Sequence, residues 1–113
     1  MNFIEELKYN KENYPVFTPD TPEKQEWLNE YHNLCNQYAM TVFNRFPNGD
    51  GFGYIEAAAK RLVENIDFDE TDCVIHIGTE YILMIHEKYG DGSLELKTAM
   101  DGALAYTSKH INE

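Results

Sequence analysis

Apolar residues recur every three to four positions through the first half of the chain, and the period shortens after residue 72. Phe3, Ile4 and Leu7, followed by Lys11 and Tyr14, fall at helical spacing and predict a short helix over residues 2–14. The stretch 15–22, PVFTPDTP, holds three prolines and reads as a connector. Thr21-Pro22-Glu23 then forms a helix start. Thr21 can cap, Pro22 suits the first helical position, and Glu23 and Glu26 complement the positive end of the dipole. The stripe Trp27, Tyr31, Leu34, Cys35, Tyr38, Val42 and Phe46 carries this second helix to about Phe46, with Leu28, Ala39 and Phe43 widening it. Arg45 suits its negative end, and Pro47-Asn48-Gly49 stops it. Ile55, Ala58, Ala59, Leu62, Val63 and Ile66 predict a third helix from about Tyr54 to Ile66.

Beyond an acidic stretch the pattern changes. Cys73–Ile77 and Tyr81–His86 are short runs rich in β-branched residues, joined around Gly78-Thr79-Glu80, and they predict a hairpin. Gly90-Asp91-Gly92 predicts a further turn and Leu94–Thr98 a third strand. In the tail, Ala99, Met100, Ala103, Leu104, Thr107 and Ile111 fit a helix, whereas Asp101-Gly102 fits a tight turn between two strands. The spacing of three to four favours the helix. The expected fold class is therefore α+β: three N-terminal helices, a small antiparallel sheet of two to three strands and a C-terminal helix. The helices would pack on one face of the sheet as a single domain over residues 1–113.

Composition narrows the class. A chain of 113 residues with 42% hydrophobic content can bury one core without staples. No apolar run approaches the roughly 18 residues of a membrane span. The first residues carry Glu5 and Glu6 rather than the basic and apolar regions of a secretory signal. Cys35 and Cys73 do not make a disulfide framework, so both thiols are expected reduced and the protein cytoplasmic. Charge is the one unusual total: 20 Asp and Glu against nine Lys and Arg, a net −11. Such a surface repels phosphate backbones and anionic lipids, which disfavours direct nucleic-acid or membrane binding and leaves a basic partner, a cation or plain solubility.

Candidate chemistry is sparse. Asn48-Gly49-Asp50-Gly51 copies the middle of a calcium-binding EF-hand loop. With Gly51 at the sixth loop position, however, Phe46 and Ala57 fall where the first and last ligands belong. Gly49-x-Gly51-x-Gly53 follows a helix rather than a strand, and Asp50 would repel a phosphate, so no nucleotide loop is expected. His32-x-x-Cys35 and Cys73-x-x-His76 together make a zinc ligand set. On a strand, though, Cys73 and His76 would point to opposite faces, and Cys35 lies on an apolar stripe where a buried thiol is ordinary. No cofactor, metal or catalytic residue is assigned, and an enzyme is disfavoured because no base stands beside a nucleophile in a recognisable setting.

Two readings survive. The first is a non-catalytic protein-binding domain, a small acidic inhibitor or antidote that meets the basic groove of a nucleic-acid-acting protein through Glu64, Asp67, Asp69, Glu70 and Asp72. Those carboxylates equally keep the adjacent apolar run soluble. The aromatics near turns, Tyr9, Tyr14, Phe17, Phe52 and Tyr54, would add the ring contacts typical of interface hot spots. The second is a small enzyme or ligand binder with a pocket beside His76 and His86, which would neighbour each other on the hairpin.

Overall fold

The structure is a computed structural model that describes residues 3–13 and 19–111. Tyr14, Phe17 and the first half of the proline-rich connector, residues 15–18, lie outside the described residues. Among the described residues five helices follow one another: α1 (Phe3–Asn13), α2 (Pro22–Arg45), α3 (Phe52–Val63), α4 (Glu70–Tyr89) and α5 (Leu94–Ile111). Among the described residues there is no strand. The expected α+β fold class and its small sheet are therefore corrected to an all-helical architecture.

The N-terminal helices form for the reasons the sequence gives. Thr21 caps α2 by accepting the backbone N–H of Lys24 at 3.1 Å, and Pro22 opens the first turn. The buried face of α2 is Tyr31, Cys35, Ala39 and Val42, a clean i, i+4, i+8, i+11 stripe. The turn between α2 and α3 is tied down from the core. The buried Tyr81 hydroxyl donates to the Phe46 carbonyl at 2.6 Å and accepts the Gly51 N–H at 3.1 Å. In the same turn Gly49 takes a φ of +87°, and a Cβ there would stand 2.2 Å from the Glu95 carbonyl oxygen. Only glycine lets this loop lie against the start of α5.

The correction falls on α4. The segments read as two strands and a turn are one continuous helix capped by Asp69, whose carboxylate accepts the Asp72 N–H at 3.0 Å. The helix packs against each of the other four. Residues 76–82 are all buried, which is two full turns with no solvent face. A helix enclosed on every side has no polar stripe, so its sequence reads as an apolar run and β-branched content then suggests strands. Gly78, expected to turn a hairpin, instead makes room for a ring. A Cβ at Gly78 would lie 2.9 Å from Phe52 Cζ, and one at Gly102 would lie 2.7 Å from Phe52 Cβ. Phe52 is thus wedged between α4 and α5 at two glycines, and Asp101-Gly102 lies inside a helix rather than at a turn. The expected strand Leu94–Thr98 is the opening of α5, where Ser93 accepts the Leu96 N–H at 3.1 Å. No helix among the described residues is long and apolar enough to cross a membrane.

Candidate functional site

Two groupings of polar side chains stand out, one exposed and one enclosed. The exposed one begins in the loop between α3 and α4. Ile66 and Phe68 turn inward, Phe68 meeting Tyr31 edge-on at 5.0 Å and Trp27 at 5.4 Å between ring centroids. These two anchors fix the loop and leave Asp67 and Asp69 facing water. Glu64 before them and Glu70 and Asp72 after them are also exposed, so all five sequence-predicted carboxylates gather at one corner of the molecule. None of the five forms an ion pair with a described residue. Burial followed by the neighbouring Asp69 charge raises the Asp72 carboxyl above its ordinary range. Part of the cluster is structural, since Asp69 caps α4 and Glu70 and Asp72 complement its dipole.

Tertiary packing adds residues that no local pattern indicates. Tyr106 of α5 reaches the same corner: burial raises its phenol, and Glu56, Glu70 and Asp69 raise it further by their charge, against a hydrogen bond with Thr71. Ile75 stands 49% exposed one turn along α4 from Asp72. Between Ile75 and Tyr106 opens an apolar cleft of about 160 Å³, walled by Val74, Gly78 and Ala103. The cleft thus begins one turn beyond Asp72, and its Tyr106 wall feels the charges of Glu70 and Asp69.

The enclosed grouping runs along the α2–α4 interface. Tyr31, Cys35 and Asn36 of α2 face Cys73, His76 and Glu80 of α4. The Tyr31 hydroxyl is hydrogen-bonded to His76 Nδ1 and lies 3.7 Å from Cys73 Sγ. Burial above all, then the nearby thiols, raises the Tyr31 phenol. Burial likewise pushes the Cys35 thiol up to about 12 and raises Cys73. Burial and then His32 lower His76 to about 4, which keeps its imidazole neutral. Further along, the buried Glu80 carboxylate takes an ion pair from Lys11 of α1 at 3.2 Å and a hydrogen bond from Asn36 at 3.2 Å.

This interface corrects one step of the sequence reading. On a helix Cys73 and His76 share a face, and that face meets the one carrying Cys35. The His32-x-x-Cys35 and Cys73-x-x-His76 pairs therefore come together, with the Tyr31 hydroxyl among them. Among the described residues, no group of three or more His, Cys, Asp or Glu side chains is arranged to hold a metal ion.

His76 and His86 do not share a pocket wall. They lie ten residues apart on one helix, an axial distance of about 15 Å. His76 is buried on Tyr31, while His86 bonds Asp91 Oδ1 at 2.7 Å and lines a separate shallow cleft with Lys8, Lys11 and Glu12. The hairpin that would have made them neighbours is absent. Comparisons with protein families, curated proteins and solved structures give no match to the chain. The fold and the surface chemistry alone define its class, a small acidic protein that is all-helical among the described residues.

Proposed function

We propose that this protein is a non-catalytic binding domain that presses its acidic corner against a basic protein surface. The observation that carries the reading is the exposure of the corner: five carboxylates without an ion-pair partner among the described residues follow one another from Glu64 to Asp72, and an apolar cleft opens at Ile75, one turn further along α4. Carboxylates steer a basic partner and select it by charge, whereas a filled apolar cleft supplies the buried contact that slows dissociation. Partners that act on nucleic acid fit this chemistry best, because a groove built for phosphates accepts carboxylates by the same electrostatics. The acidic inhibitor of such a protein is the form of the reading we favour.

The test starts with affinity capture of a partner, followed by association kinetics across a salt series. Exposed charges are screened within about 8 Å at physiological ionic strength, so the on-rate should fall steeply as salt rises. Glu64→Lys/Asp67→Lys should slow association far more than the matched exposed pair Glu26→Lys/Glu30→Lys. A bulky substitution at Ile75 should raise the dissociation rate, and the captured protein should lose DNA or RNA binding in competition. Association that is indifferent to salt and equal for the two charge-reversal pairs would sink the electrostatic reading.

A further inference from the structure

The chain contains only two arginines, Arg45 and Arg61, and both line one cleft between the antiparallel helices α2 and α3. The cleft encloses about 320 Å³. Tyr38, Phe46 and Tyr54 supply aromatic walls, and Val42, Ala57 and Ala58 supply a small-residue floor. Phe46 and Tyr54 are stacked, with centroids 4.3 Å apart and planes 20° from parallel, and Tyr54 remains 52% exposed.

Like Lys8, Lys60, Lys88 and Lys109, the arginines form no ion pair with a described residue; what sets them apart is the aromatic-walled cleft they share. The protein carries 20 carboxylates, and its ion pairs among the described residues are made by Lys11, Lys24, Lys97 and His86. Neither Arg45 nor Arg61 pairs with a described carboxylate; the Arg45 guanidinium lies 5.8 Å from the Phe46 ring, and Arg61 accepts the Asn65 side-chain amide through its backbone carbonyl at 3.2 Å. A guanidinium presents a planar fork of donors matched to a phosphate or carboxylate, and it also stacks on rings. Two unpaired forks beside an aromatic stack, in a cavity at the small end of the ligand-binding range, make a built recognition surface rather than a solvated edge. The net charge of −11 excludes a polyanion here, because long-range repulsion grows with ligand charge, whereas a small ligand of one or two charges meets chiefly the local field.

We propose that the Arg45–Arg61 cleft binds a small planar aromatic oxyanion, with its ring on the Phe46–Tyr54 stack and its acid group on the arginine forks. A nucleoside monophosphate and an aromatic carboxylate share this chemistry. The site lies on the α2–α3 face and does not depend on the partner reading of the α3–α4 corner.

The experiment titrates isotope-labelled protein with adenosine monophosphate in one arm and indole-3-acetate in the other, following backbone amide shifts. Adenosine and inorganic phosphate serve as half-ligand controls. Saturable shifts confined to the cleft are expected in at least one arm, and that arm identifies the acid group. Removing either the ring or the anion should weaken binding at least about tenfold, the scale of one lost charge-assisted contact. Arg45→Gln/Arg61→Gln should do the same while circular dichroism stays helical, since both side chains are exposed. Tyr54→Ala gives an independent variant that removes the stacking surface. No saturable shift in either arm at millimolar ligand overturns the proposal. So does binding unchanged in the double variant, or adenosine binding as tightly as its monophosphate.

Discussion

The α2–α4 seam and the acidic corner both gather polar side chains but obey opposite rules. In the seam, Tyr31, Cys35, Cys73 and His76 are enclosed and held in their neutral forms, and the one buried carboxylate, Glu80, is matched by Lys11 and Asn36. At the corner, Glu64, Asp67 and Glu70 remain exposed, with no ion-pair partner among the described residues. A buried polar group must be satisfied or neutral because water cannot reach it, whereas an exposed charge is solvated and its partner is optional. The seam therefore governs stability, and the corner is available for recognition.

The sharpest way to break this contrast is at Tyr31. Tyr31→Ala empties a fully buried site and removes the bond to His76, and it should cost about 3–5 kcal/mol in urea unfolding. Tyr31→Phe keeps the ring but strips the hydroxyl from His76 and Cys73, for about 1–3 kcal/mol. An effect below about 1 kcal/mol in the alanine variant would mean that the seam does not carry the fold.

The next largest effect is on pH dependence. His76 is lowered from 6.5 to about 4 in the folded protein, so between those values the unfolded chain binds a proton that the folded chain does not. Its contribution is complete above pH 6.5 and is lost as pH falls toward 4, a total of about 3 kcal/mol. Cys35 works from the other side. Its folded value is raised from 9.0 to about 12, so its contribution is complete below pH 9 and is lost as pH rises toward 12. Unfolding free energy measured by urea should therefore form a plateau between about pH 6.5 and 9. His76→Gln should flatten the acid limb, and an unchanged acid limb in that variant would refute the assignment.

Smaller effects belong to the corner and separate its two roles. Asp69→Ala removes the α4 cap and should cost about 1 kcal/mol. Glu64→Lys/Asp67→Lys should change unfolding free energy by no more than about 0.5 kcal/mol, because both side chains are exposed and unpaired. A loss of several kcal/mol there would make the corner part of the core and erase the contrast.

Local chemistry was readable directly from the order of residues. Thr21 and Pro22 start a helix wherever they precede an apolar stripe, because capping and a fixed φ act within one turn. The boundaries of α2 were legible to within a residue or two, α3 was legible apart from its ends, and the carboxylates between Glu64 and Asp72 were legible as a cluster. The rest depended on long-range packing. The helix α4 lost its amphipathic signature because four helices enclose it, and periodicity can be read only where one face meets water. Gly78 read as a turn because the residue it makes room for, Phe52, lies 26 positions away in sequence. The same holds at the sites. Tyr31 finds His76 across 45 residues, Tyr106 finds Glu70 from another helix, and Arg45 joins Arg61 only because α2 and α3 run antiparallel. Composition sets which side chains are charged, aromatic or small; packing sets which of them meet, and so which are satisfied within the protein and which are left to solvent.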